Sequence, residues 1–147
     1  MDVRTEHSGR IVVGVDGSAS SLAALHWAAL QAEFTGSAVE VVVSWEWPTN
    51  YGWALPYPAE YNPAEEARTM LAGILDVAGK DHPAVSFEAT VAEGHPAPVL
   101  VDASRGADLL VVGCRGHGEI AGMLIGSVSE HCATSAHCPV LVLRDAR

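Results

Sequence analysis

The chain has 147 residues, of which 49% are hydrophobic, enough apolar material for one enclosed core. Its formal charge is −10 and Lys80 is its single lysine. Both argue against a broad nucleic-acid or anionic-membrane surface, which needs clustered Lys/Arg.

Residues 1–9 are polar and are expected to form a flexible N-terminal tail, with residues 10–147 as a single domain. The start has no apolar h-region and no apolar run approaches 18 residues, so neither a signal peptide nor a membrane span is expected. The cytoplasm is the expected location. Cys114, Cys132 and Cys138 contain no CxxC pair, so neither a disulfide framework nor a zinc site is indicated. Seven histidines are scattered without an HxxxH ligand pair, and no metal site is expected.

In chain order, residues 11–15 are a β-branched run that yields at Asp16-Gly17-Ser18 to a helix capped by Ser18. Leu22, Leu25 and Ala29 are expected on one face of that helix, which stops at Gly36. Residues 39–45 read as the second strand. Residues 64–79 read as the second helix, with Ala67, Met70, Leu71, Ile74 and Ala78 inward. A less buried third strand covers 85–91, and Pro98 starts a short helix to 104. Strand four is 109–112, helix four 127–136 and strand five 140–143. Regular β-α alternation with near-continuous apolar strands predicts an α/β fold, a parallel sheet with helices on both faces.

Between strands two and three, residues 45–63 hold six of the nine aromatic residues and four prolines. A satellite apolar cluster, a lid and a partner surface are all open readings of this long segment.

Strand four runs into Gly113-Cys114-Arg115-Gly116, and Gly126-Ser127-Val128-Ser129-Glu130 opens the last helix. Backbone N–H groups in such a glycine-rich strand-to-helix link can cradle an anion, aided by the helix N-terminus. A structural glycine loop fits the spacing equally well. Ser127-x-x-Glu130 also matches a capping box, a second and compatible role for Ser127. The link has neither the lysine of a P-loop nor the tight dinucleotide turn.

Gly113-x2-Gly116-x9-Gly126-Ser127, together with residues 11–18 and 137–143, resembles the ATP-binding universal stress proteins over about residues 10–144. The resemblance implies a three-layer α/β/α sandwich with strand order 3-2-1-4-5, like the adenine nucleotide alpha hydrolases. That order places the ends of strands one and four at the sheet reversal, where open α/β sheets bind ligands. It further implies ATP or another adenine nucleotide as ligand, with Mg²⁺ held through the phosphates. Gly113, Gly116 and Gly126 would admit phosphates and ribose, and Ser127, Val128 and Ser129 would supply N–H or hydroxyl donors. Asp16 would face ribose and adenine, Gly14 and Val15 would border the pocket by main chain, and Trp45 would offer backbone groups to adenine. It also implies a homodimer through the last strand, residues 140–143, which is apolar yet lies at an edge in this order.

Two departures weaken the phosphate loop: Cys114 stands where many relatives carry serine, and His117 and Glu119 leave Arg115 as its only cation. Binding should then be weaker, or depend more on Mg²⁺, than an arginine-rich loop would give. No catalytic residues are assigned, since a P-loop lysine, paired metal carboxylates and a nucleophile elbow are all missing. A nucleotide sensor acting through its dimer, on a protein partner the sequence does not identify, is the leading expectation. A slow ATPase and a nucleotide-free interaction scaffold are the alternatives. A flavodoxin-like carrier would need its phosphate loop after strand one, where residues 16–20 are short.

Overall fold

A computed structural model describes residues 9–47, 58–114 and 125–144. Most of the expected tail, residues 48–57 of the aromatic segment, and Arg115, Gly116, His117 and Glu119 lie outside the described residues.

Nine elements alternate along the chain: β1 (Arg10–Gly14), α1 (Ala19–Thr35), β2 (Ala38–Trp45), α2 (Pro63–Asp81), β3 (Phe87–Glu93), α3 (Pro96–Ala103), β4 (Leu109–Gly113), α4 (Ser127–Ser135) and β5 (Val140–Leu143). Every strand pairing is parallel and the order is β3-β2-β1-β4-β5, as the resemblance implies. The reversal falls between β1 and β4, which pair Ile11 with Leu109 and Val13 with Val111.

Alternate side chains of the central strands feed two cores. Ile11, Val13, Val41 and Val111 pack with Leu25 of α1 and Leu71 of α2. Val12, Val42, Leu110 and Val112 pack on the opposite face with Leu100 of α3 and Cys132 of α4. Burial pushes the Cys132 thiol up from an ordinary 9.0 to about 11. At the amino ends of the strands, Arg10 joins three neighbours. Its guanidinium pairs with Glu40 and donates to the carbonyls of Ala103 and Arg105.

The helix starts follow from their side chains. Ser18 caps α1 by accepting the Ser21 N–H at 3.2 Å, and Gly36, at φ 75°, closes it in the left-handed conformation. Asn62 caps α2 ahead of Pro63, with Glu65 and Glu66 in the first turn and Lys80 in the last, matching the helix dipole. Three details differ from the sequence expectations. The buried face of α1 is Ser21, Ala24, Leu25, Ala28, Ala29 and Ala32, and Leu22 is 41% exposed. Small residues let the α1 backbone lie close to the sheet, which turns Leu22 outward. β3 begins two residues later than expected, and α3 begins at Pro96 because that earlier proline already suits a first turn. No helix among the described residues is long and apolar enough to cross a membrane.

Cys132 should remain unmodified by a thiol reagent at pH 8 in the folded protein and react only on unfolding. Its folded value lies above the unfolded one, so the stability it contributes is complete below about pH 9 and is lost as pH rises towards 11. Alkaline unfolding of Cys132→Ala compared with the parent chain checks the sign.

Candidate functional site

A crevice of about 300 Å³ opens at the β1/β4 reversal, beyond the carboxyl ends of the strands. One wall is Gly14, Val15 and Asp16, leaving β1; the next is Ser44, Trp45 and Glu46, ending β2. Gly113 of β4 and Val128 and Ser129 of α4 form the side opposite, and Gly94, Pro96 and Leu100 close the corner between β3 and α3. Seven sequence-expected residues thus meet here: Gly14, Val15, Asp16, Trp45, Gly113, Val128 and Ser129. Gly126 and Ser127 lie next to the lining, and Arg115 and Gly116 lie outside the described residues.

Asp16 begins the β1–α1 link. Its Oδ1 accepts the Ser18 N–H at 2.9 Å, while its own N–H donates to Ser21 Oγ at 3.2 Å. The carboxylate thereby shapes the turn that presents it to the crevice. The Val15 N–H is taken by the Val42 carbonyl at 2.9 Å, leaving Val15 to shape the wall. The Trp45 carbonyl accepts the Gly94 N–H at 2.8 Å. The Trp45 ring meets Trp47 edge-on at 6.2 Å, and Trp47 meets Tyr61 at 6.0 Å, so an aromatic cluster stands beside the crevice.

The two strand-end glycines have a packing reason. A Cβ on Gly113 would fall on Ser20, against its Oγ and 2.8 Å from its backbone carbonyl carbon and oxygen. A Cβ on Gly14 would lie 2.6 Å from Leu100 Cδ1. Both let neighbouring elements close in around the crevice floor.

At α4 the expected capping box is absent. Gly126, extended at ψ 160°, is the N-cap, and Ser127 is the exposed first helical residue. A capping serine must itself sit before the first turn, and here the turn has already begun. Gly126 has no side chain to cap with, so among the described residues no side chain caps the first-turn N–H groups of α4. Other bonds hold this helix start in place. Ser129 Oγ donates to the Gly113 carbonyl, the Gly126 N–H donates to the Cys114 carbonyl at 2.6 Å, and the Cys114 N–H donates to Leu143 O at 2.9 Å. The Ser129 hydroxyl is therefore a structural tie.

The charged groups among the described lining residues are Asp16 and Glu46, with no Lys or Arg. Glu46 pairs with His95 Nδ1 at 3.1 Å, joining the end of β2 to the β3–α3 corner. Among the described residues no three His, Cys, Asp or Glu side chains group as a metal site. Sequence reasoning missed the β3–α3 corner and Glu46. The positive-φ glycine Gly94 before His95-Pro96 is the signal that could have marked a turn there.

Residues 7–144 match the family model described as Universal stress protein family. Two universal stress proteins of Mycobacterium tuberculosis are 35% and 36% identical over 139 and 142 residues. The matches cover 91% and 92% of this chain but 47% and 45% of theirs, so the chain spans about half the length of these curated relatives. Among solved structures, a universal stress protein in complex with cAMP gives a TM-score of 0.71 at 27% identity, covering 94% of this chain and 98% of that one. The Archaeoglobus fulgidus universal stress protein in complex with dAMP gives 0.66 at 25% identity, over 91% and 96%.

The packing account ranks the two glycines. Gly113→Ala should cost about 1–3 kcal/mol, because the backbone of Ser20 must move. Gly14→Ala should cost less, because Leu100 can turn its flexible end aside. Urea unfolding of both variants measures the order.

Proposed function

The chain belongs to the universal stress protein family, and on that premise we propose that it binds an adenine nucleotide, ATP with Mg²⁺, in the crevice at the sheet reversal. The observation that carries this reading is the α4 start: a helix N-terminus whose N-cap residue, Gly126, has no side chain to offer, held beside a crevice that Asp16 and Trp45 also line. First-turn N–H groups and the helix dipole suit phosphate oxygens. The Asp16 carboxylate suits ribose hydroxyls, and the apolar wall of Val15, Val42 and Leu100 suits a base. Relatives in complex with cAMP and dAMP support the adenine class.

Because Asp16 and Glu46 are the charges in the described lining, phosphate charge must be balanced by the helix start, Arg115 and the metal ion. Lys80 is the only lysine, and it pairs with Asp76 in the last turn of α2, remote from any role in phosphoryl transfer. Slow turnover follows, and with it a sensor rather than an efficient enzyme. Occupancy reaches β5 through Cys114, whose N–H is bonded to Leu143 O.

β5 is also the proposed dimer edge. It carries Val140, Leu141, Val142 and Leu143 with no charge, whereas the opposite edge, β3, exposes Glu88 and Glu93. Pro139 O and Leu143 O bond β4, so the alternation of a strand aims the N–H groups of Val140 and Val142 outward. An antiparallel copy of β5 would satisfy them in a two-fold contact.

Calorimetry should find ATP–Mg²⁺ binding that falls about tenfold or more in Asp16→Asn, the scale of one charge-assisted hydrogen bond, and that vanishes in Val128→Glu. Turnover should stay well below roughly 1 s⁻¹. Unchanged affinity in both variants refutes the site. Light scattering should find a dimer that Val142→Pro converts to monomer, since it removes an outward donor and spares the β4 ladder. A monomeric parent chain refutes the interface.

A further inference from the structure

Glu46 follows β2 and brings a negative charge into the lining of the crevice. Towards a triphosphate that charge is repulsive, so it suits only the end remote from the phosphates. Glu46 stands at that end. It lines the crevice with Ser44, Gly94 and Pro96, whereas Gly113, Val128 and Ser129 form the side opposite. With phosphates at the α4 start, what Glu46 meets is the base.

The carboxylate is held in place. A carboxylate only accepts, so His95 Nδ1 donates to Glu46 Oε1 at 3.1 Å, whether the ring is neutral or charged. His95 is the N-cap residue of α3, yet its side chain makes no cap hydrogen bond. The Gly94 N–H, bonded to the Trp45 carbonyl at 2.8 Å, fixes the corner from which the ring reaches Glu46. Both side chains are too exposed for their pairing to add much to stability. The tether does little for the fold and sets the direction of the carboxylate.

Other acceptors on this wall are engaged or indifferent. The Val42 carbonyl takes the Val15 N–H at 2.9 Å, and the Trp45 carbonyl takes that of Gly94. The Ser44 hydroxyl donates or accepts, and so suits any base. Glu46 Oε2 has no hydrogen-bond partner among the described residues.

We propose that Glu46 reads the base, its Oε2 accepting a hydrogen bond from the 6-amino group of adenine, with His95 as the positioning residue that aims it. This rests on the nucleotide reading above and adds what selects the base. Guanine presents a carbonyl oxygen at position 6, an acceptor that would face a carboxylate. Its N1–H and 2-amino donors form a pair that asks for both carboxylate oxygens, and Oε1 is committed to His95.

Calorimetry of the full chain with ATP, purine riboside 5′-triphosphate and GTP, each with Mg²⁺, tests this. The second nucleotide differs from ATP only in lacking the 6-amino group. ATP should bind about tenfold more tightly than it, the low end of the scale for one hydrogen bond to a charged acceptor. GTP should bind more weakly than either. Glu46→Ala should bring ATP and purine riboside triphosphate to equal affinity. The ratio is the readout, because removing a negative charge also changes the attraction for the triphosphate that all three share. His95→Ala should lower the same ratio and leave the melting temperature unchanged. The proposal is overturned, with the nucleotide reading left standing, by equal affinity of the parent chain for ATP and purine riboside triphosphate. Tighter binding of GTP than of ATP, or a ratio kept in Glu46→Ala, overturns it in the same way. A ratio unmoved in His95→Ala overturns the positioning role. Binding of none of the three overturns both readings.

Discussion

The seat of the β4 end against its neighbours is the constraint on which the crevice depends. Gly113 has no side chain, so β4 can finish directly against the backbone of Ser20 at the start of α1. Its carbonyl receives the Ser129 hydroxyl, and the next residue, Cys114, bonds Leu143 by its N–H and Gly126 by its carbonyl. Two consecutive residues thus join α1, α4, β5 and both ends of the glycine-rich link. The direction of the α4 axis, and with it the direction of its first-turn N–H groups, follows from these contacts. A protein that must offer bare backbone donors needs them rigid, because donors that must reorganise to meet an anion lose part of what they gain.

Nearly all of the fold was legible in the sequence because apolar periodicity reports burial directly. Ile11, Val12 and Val13 read as a buried run and are buried; Ser18 and Gly36 read as the limits of α1 and are its caps. The strand order came from the family likeness of residues 11–18, 113–127 and 137–143, not from periodicity. Errors arose where one pattern admits two registers. Ser127-x-x-Glu130 fits a capping box, but side-chain identity does not reveal that Gly126 already holds the extended conformation of an N-cap. Pro96 and Pro98 both suit a first helical turn, and the earlier one prevailed. Leu22 follows the helical period yet lies outside the inward stripe, because alanines set how close α1 approaches the sheet.

The crevice itself was half legible. The segments after β1 and β4 announce themselves by glycine and a polar helix start. The Gly94–Pro96 corner does not, since it belongs to β3, two strands from the reversal. It reaches the crevice because β2 continues to Trp45 and carries its partner β3 along, with Trp45 opposite Glu93. Contacts between distant residues were equally hidden: His26 and His82 stand 56 positions apart, and only the packing of α1 on α2 makes them neighbours.

The difference between the two sheet edges has a consequence for growth. A parallel sheet with two receptive edges could add copies without end. Here one rim is uncharged and the other exposes Glu88 and Glu93. If two chains join at their uncharged rims, the resulting ten-stranded sheet presents an acidic margin at each extremity. In such a pair the margins would be identical by symmetry and would repel a further copy, a terminator against fibres.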